Sequence, residues 1–223
     1  MSSRPGRAMR IVDLSHAITA DMPVWPGTPR PDFSELCTIA RDGFAEHSIR
    51  MSSHTGTHLD APAHIIEGGD TLDRLDIGQY HGKGILIDLR DVAGGDITRE
   101  ALMPFGPLID MSEFVMLHTG WGRFWGQACY DRDYPVLTDD AASWIAGFGL
   151  KGIGIDAPSF DVPGAGSYPI HRLLLGSGIL LIENLANLFL LPETGFFLSI
   201  FPLGIAGAEA CPVRAIAFLP PFQ

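Results

Sequence analysis

A single α/β domain built on a mixed β-sheet with short helices is the fold class that this sequence predicts, and three observations predict it. Six runs rich in branched aliphatic and aromatic residues have strand length and turn residues beside them. Only brief helical patterns lie between these runs. The 223 residues, 46% of them hydrophobic, suffice for one substantial core, and no repeat, low-complexity stretch or long linker divides residues 1–223 into separate domains.

In order, the strand-like runs are Gly84-Ile-Leu-Ile-Asp-Leu89, Phe114-Val-Met-Leu117, Leu150-Lys-Gly-Ile-Gly-Ile155, Gly178-Ile-Leu-Leu-Ile182, Phe196-Phe-Leu-Ser-Ile200 and Val213-Arg-Ala-Ile-Ala-Phe218. Together they suggest a largely buried sheet. Between the second and third runs, Thr138 is placed to cap a helix over Asp139–Ala146: two acids in the first turn suit the positive end of the helix, and Gly147 stops it. Arg172–Leu175 reads as a second short helix. The 26 glycines and 17 prolines are assigned to loops, where connections must approach a site closely.

Charge and cysteine usage exclude several function classes. Twenty-six acids against 15 bases give a formal charge of -11, which opposes nucleic-acid binding and a polybasic membrane anchor. The opening Met-Ser-Ser-Arg-Pro-Gly-Arg lacks an apolar leader core, and the apolar stretches near the C-terminus are interrupted by Glu183, Asn184, Asn187, Pro192 and Glu193. A soluble, unexported, cytoplasmic protein is expected. Cys37, Cys129 and Cys211 have no metal-ligand spacing and are expected to be buried or partly buried free thiols. A nucleophilic Cys129 has little support, since no motif places His118 beside it.

The chemistry concentrates in His54-Thr-Gly-Thr-His58-Leu-Asp60-Ala-Pro-Ala-His64. Eight histidines spread evenly over the chain would put roughly 0.4 in such a window; this one holds three and an acid. Neutral imidazoles and carboxylates are the usual ligands of zinc and manganese, and three protein ligands leave a position for water. His54, His58 and Asp60 can be those three. Gly56 and Pro62 argue against a helix, so the cluster is placed on a tight loop. There is no His-Glu-x-x-His, so a proton shuttle must come from elsewhere. His64, beyond Pro62 and with an ordinary pKa near ~6.5, is the natural choice. For any one of these histidines, a turn cap or a loop hydrogen bond is the competing reading.

The eleven residues resemble the His-x-Gly-Thr-His-x-Asp-x-Pro-x-His signature of the cyclase-like metal hydrolases, the family of bacterial kynurenine formamidase and isatin hydrolase. Asp13-Leu-Ser-His, Pro23-Val-Trp-Pro-Gly27, Ile155-Asp-Ala-Pro-Ser-Phe-Asp161 and the stretch from His171 to Glu183-Asn184 resemble further family blocks in the same order. The resemblance therefore spans nearly the whole chain. It implies a swivelling β/β/α-type domain assembled as a homodimer or homotetramer. It also implies that His54, His58 and Asp60 bind one metal, that Asp60 bridges to a second, and that His171 and a bridging Glu183 complete the site. Read without it, His171 would be a helix-start histidine and Glu183 a carboxylate set without evident reason in the apolar run Ile179-Leu-Leu-Ile-Glu.

The implied activity is hydrolysis of a small-molecule aryl amide, formamide or lactam by water that one or two zinc or manganese ions acidify from 15.7 towards about 7. His64 would pass a proton to the leaving nitrogen. Trp25 resembles the family's substrate-packing tryptophan, against the alternative that it anchors a proline-rich loop. Val162-Pro-Gly-Ala-Gly-Ser-Tyr168 departs from the corresponding stretch of kynurenine formamidases, so an N-formylkynurenine-type substrate is the first expectation and an isatin-type cyclic amide or a lactone the next. A non-catalytic metal-binding scaffold is the reading from another class; retention of His64 and Glu183 argues against it.

Overall fold

The computed structural model describes residues 9–91 and 95–220; the opening residues read above for a leader lie outside them. In chain order the elements are β1 (Arg10–Asp13), β2 (Asp32–Cys37), α1 (Ile39–Asp42), β3 (Glu46–Arg50), β4 (His58–Asp60), β5 (His81–Asp88), β6 (Asp96–Ile97), α2 (Arg99–Leu102), α3 (Gly106–Asp110), β7 (Phe114–His118), β8 (Val136–Leu137), α4 (Asp139–Ala146), β9 (Gly152–Ile155), α5 (Pro169–Gly176), β10 (Leu180–Glu183), β11 (Phe196–Ser199), β12 (Ala210–Pro212) and β13 (Ile216–Leu219). Nine of the strands form one mixed sheet in the order β1-β13-β11-β5-β7-β9-β10-β4-β12. Its centre, β5-β7-β9-β10, is parallel, and the flanking pairs are antiparallel. Ser15, just beyond β1, bridges to Leu185, just beyond β10, and Ala186 N–H donates to Leu14 O, so the sheet curls back on itself.

The central strands are apolar without interruption because both faces are covered. Strand alternation sends Val115, Leu117, Ile153, Ile155 and Leu181 into one core, where α4 and α5 contribute Ala141, Ile145 and Leu174. Phe114, Met116, Leu180 and Ile182 enter the second core with Leu198 and Ala217. Gly152 and Gly154, part of the expected run Leu150–Ile155, lie within β9. A Cβ at Gly152 would stand 2.9 Å from the Phe114 ring, and one at Gly154 would stand 2.5 Å from Leu185 and 2.8 Å from Met116 Sδ. These glycines make room for the large side chains of the second core.

All six expected strands are present, with ends displaced by at most three residues. Thr138 caps α4 as expected, its hydroxyl accepting from Ala141 N–H. Helix α5 begins at Pro169, three residues before the expected start, because proline suits the first helical position. Cys129 is exposed, against the expectation of a buried or half-buried thiol; all three cysteines are free. The sequence pattern missed the antiparallel hairpin β2–β3, an arm on which no residue from Asp32 to Arg50 is buried. Among the described residues, no helix is long and apolar enough to cross a membrane.

Candidate metal centre

Strand geometry assembles the site. His58 and Asp60 stand two residues apart on β4 and so share a face, while Leu59 points into the second core. Strand β10 runs antiparallel beside it with Glu183 opposite His58 and Leu181 opposite Asp60. The expected tight loop is therefore only part of the motif: His54 is on a turn, His58 and Asp60 are on a strand, and His64 ends a 3-10 turn that starts at Pro62. Gly56, between the first two histidines, has φ +64°, where a side chain would be strained, and its Cβ would lie 3.0 Å from Met22 Cε. His171 arrives from the first turn of α5.

The six polar side chains converge. His54 Nδ1 lies 3.0 Å from Asp60 Oδ1, and His58 Nε2 lies 3.5 Å from Asp60 Oδ1 and 3.4 Å from Glu183 Oε2. On the other side, His171 Nε2 lies 3.2 Å from Glu183 Oε1 and 3.7 Å from Asp60 Oδ2. Yet His58 Nε2, both Asp60 oxygens and Glu183 Oε1 are buried and make no hydrogen bond. The atoms are close but not aimed at one another. Two ligands of one tetrahedral ion at 2.0–2.1 Å stand about 3.3 Å apart, so this spacing among unpartnered atoms suits a divalent cation. His54, Asp60 and His64 form a second set of close ligand atoms beside His58, Asp60 and Glu183. The His64 ring is 4.3 Å from that of His54 and 5.8 Å from that of His171.

Behind the convergent atoms, other groups hold the rings. His58 Nδ1–H donates to Gly56 O at 2.8 Å, and the same carbonyl accepts from Asn184 Nδ2 at 3.0 Å. Asn184, in left-handed geometry at φ 56°, receives the Tyr130 hydroxyl at 2.8 Å. His171 Nδ1–H donates to Asp161 at 2.6 Å. Glu209, on the loop entering β12, accepts from Ser53 Oγ at 2.6 Å and sits 3.7 Å from His54 Nε2. Sequence reasoning assigned no role to Tyr130, Asp161, Asn184 or Glu209. Asp161 and Asn184 fell inside recognisable blocks, but nothing local distinguishes them from loop residues.

The charges interlock. Burial alone would lower the pKa of His58, but the Asp60 and Glu183 carboxylates outweigh it and hold it up at about 9. Burial opposes the same change at His171, which Asp161, Glu183 and Asp60 raise to about 10. Burial would raise Asp60 and Glu183, and the surrounding imidazoles hold both below the usual carboxylate range. His64 moves the other way, lowered chiefly by burial. The centre is a buried anionic field that takes up positive charge, as protons or as a metal.

A cavity of about 840 Å³ opens above the centre. Trp25, Trp125, Tyr130 and Tyr168 supply aromatic wall, and Arg172 lines it beside His171. Trp125 lies flat on His16, ring centroids 3.8 Å apart and planes within 4°. All seven residues singled out from the sequence, His54, His58, Asp60, His64, His171, Glu183 and Trp25, line this one cavity.

Relatives match along most of the chain, and solved ones share its fold. Residues 12–162 match the Cyclase family model, described as "Putative cyclase". Kynurenine formamidase of Salinibacter ruber is 31% identical over 93% of this chain and 97% of its own length. Cyclase-like protein 2 of Oryza sativa is 30% identical over 95% of this chain and 80% of its own. Isatin hydrolase A of Labrenzia aggregata, solved bound to benzyl benzoate, superposes with a TM-score of 0.85 at 28% identity, covering 95% of this chain and 94% of that one. A structure described as a potential metal-dependent hydrolase with cyclase activity superposes at 0.79 with 29% identity, over 96% of this chain and all of its own. With its signature cluster gathered at the floor of one cavity, the family model matching residues 12–162 and more than nine-tenths of the chain aligned to these proteins, the chain belongs to the cyclase family of metal-dependent hydrolases.

Proposed function

We propose that this protein is a metal-dependent hydrolase of a small aryl amide, with an N-formylkynurenine-type formamide as the first substrate and an isatin-type cyclic amide or lactone as the alternative. One observation carries the reading: imidazole and carboxylate atoms, all but those of the half-buried His54 on buried residues, stand 3.0–3.7 Å apart without hydrogen-bonding one another, at the floor of a cavity large enough for such a substrate. Asp60 turns Oδ1 towards His54 and His58 and Oδ2 towards His171, and Glu183 divides its oxygens the same way. That division supports two bridged ions, zinc or manganese, held by His54, His58, Asp60, His171 and Glu183. An ion bound there would supply a Lewis acid and an acidified water.

The chain's own residues do the rest. Trp25 and Trp125 offer flat faces to an aryl ring, worth about 0.5–1.5 kcal/mol beyond burial. His64, whose pKa burial lowers, would accept the proton that the attacking water gives up and return it to the leaving nitrogen. The amide alternative rests on the superposition with isatin hydrolase A. Protein loaded with Mn²⁺ or Zn²⁺ and assayed on N-formylkynurenine, isatin and a small aliphatic lactone separates these readings. Formylkynurenine fastest supports the formamidase and isatin fastest the lactam hydrolase. The aliphatic lactone fastest removes the aromatic-wall role of Trp25, and bound metal without turnover on any substrate favours a scaffold.

We also infer a homodimer or homotetramer, residing in the cytoplasm as the three free thiols suggest. Support comes from the β2–β3 arm. A lone two-stranded ribbon is marginal in water, and Phe33, Leu36, Ile39, Phe44 and Ile49 are 40–73% exposed on it. At about 200 Å² for a large side chain, they offer on the order of 500 Å² of apolar surface. That is the apolar share of a standard interface of about 800 Å² per partner, so a second copy of this chain is the fitting occupant.

A further inference from the structure

We propose that Asp161 is a positioning residue: its carboxylate fixes which ring nitrogen of His171 faces the metal centre, through the same contacts that start helix α5. The proposal rests on the metal-centre reading above only for what lies on the other side of the ring. Asp161 is 2% exposed and sits ten residues before His171, across the mostly exposed segment 162–168. Its Oδ1 accepts Ile170 N–H at 3.0 Å. Its Oδ2 accepts both the backbone N–H of His171 at 3.0 Å and the ring Nδ1–H at 2.6 Å. Tyr168, at the position that would ordinarily cap α5, has φ 47° and makes no side-chain cap. The cap is therefore supplied by Asp161.

These bonds leave one tautomer. With its hydrogen on Nδ1, a neutral His171 presents a lone pair at Nε2, the atom 3.2 Å from Glu183 and 3.7 Å from Asp60. The opposite tautomer would set a buried nitrogen lone pair against a buried carboxylate oxygen at 2.6 Å, a contact with no proton in it. His58 is held by the backbone carbonyl of Gly56, which substitution cannot remove. His171 depends on a side chain, and a charged one, whose hydrogen bond is short and strong. Residues behind a metal-bound imidazole set its orientation, and their loss commonly weakens metal affinity 10–100-fold.

Asp161→Asn isolates the effect. Asparagine caps helices about as well as aspartate, so α5 should start normally. Its amide oxygen can serve the backbone N–H groups, which turns the amide NH₂ towards His171 Nδ1 and forces the ring hydrogen onto Nε2, facing the carboxylates. In zinc-loaded protein labelled with ¹⁵N-histidine, a downfield Nδ1–H proton of His171 is expected in the wild type and absent in Asp161→Asn. Zinc affinity, measured by competition with a chromophoric chelator, should fall 10–100-fold with the melting temperature of the chelated protein nearly unchanged. Retained Nδ1–H and wild-type zinc affinity in Asp161→Asn would overturn the proposal, as would a zinc-loaded wild type lacking Nδ1–H. A role limited to capping predicts that outcome, with destabilisation only in Asp161→Ala. If the wild type bound no zinc, the metal-centre reading would fall, while the Nδ1–H resonance of the metal-free protein would still report the Asp161 contact.

Discussion

Metal removal should destabilise the folded protein by an amount that the site geometry lets us bound. Four ligand atoms, His58 Nε2, Asp60 Oδ1 and Oδ2 and Glu183 Oε1, are buried without a hydrogen bond. Each such atom costs about 1–3 kcal/mol, so on the order of 4–12 kcal/mol is at stake, less what protons on His58 and His171 return by pairing with the carboxylates. An ion that binds only the folded chain, present at a thousandfold its Kd, contributes about 4 kcal/mol, within that range. For a domain of this size 1 kcal/mol moves Tm by about 2–4 °C. Scanning calorimetry of chelated and Zn²⁺- or Mn²⁺-loaded protein should thus show a gap of roughly 8–16 °C. Glu183→Leu is the control: it removes a buried charge and places an apolar side chain in an apolar strand. Its chelated form should be less stable than chelated wild type, by about the 3–5 kcal/mol that removing one partner of a buried ion pair costs, and metal should no longer raise its Tm. Equal melting temperatures for chelated and loaded wild type would refute the reasoning, because the convergent atoms would then have some other partner.

His58→Ala and Asp60→Ala should abolish both bound metal and hydrolysis, whereas Cys129→Ala, an exposed thiol, should change neither; elemental analysis beside the hydrolysis assay decides. His64→Asn should retain the metal and lose turnover by roughly 10²–10⁴-fold, and loss of metal in that variant would make His64 a ligand through its close set with His54 and Asp60. In metal-free protein, His58 and His171 are raised from 6.5 to about 9 and about 10, so their stabilising contribution is complete below pH 6.5 and lost as pH rises through those values. Chemical denaturation of the chelated protein should show that decline, which loaded protein should lack. Phe33→Glu combined with Ile49→Glu, cross-strand partners on the arm, should shift the solution mass measured by light scattering towards one chain, and an unchanged mass would remove the arm from the interface.

The sheet was legible where burial on both faces leaves an unbroken apolar run, as in β5, β7, β9 and β10. It was illegible where burial is one-sided or missing. Strand β4 has only three residues, two of them metal-type ligands, so it reads as part of a loop. The arm buries nothing and therefore carries no pattern at all. The site divides along the same line. His54, His58, Asp60 and His64 announce themselves by density within eleven residues, and Glu183 by being a charge in an apolar strand. His171 became legible only through resemblance to a family. Asp161 and Asn184 act through geometry, one as a helix cap reached across a loop and the other through a left-handed backbone, and no spacing rule exposes either.

Glu183 shows why the site lies where it does. Strand β10 is flanked by β9 and β4 and contributes to both cores, so a leucine at its last position would fit the strand's pattern better than a carboxylate. The acid nevertheless stands opposite His58, with Asp60 two residues further along the same face, and each oxygen turns to a different imidazole. A fold under pressure for stability alone would replace that cluster with apolar side chains of similar volume. Its location at the C-terminal end of a parallel strand, under a cavity walled by loops, gives the cluster two things a surface loop would not. The sheet register holds the ligand atoms at fixed separation, and the low-dielectric surroundings strengthen each charge. Local rules of folding are broken here in a way that positive charge gathered among the carboxylates offsets, and breaches of that kind are expected where chemistry is done.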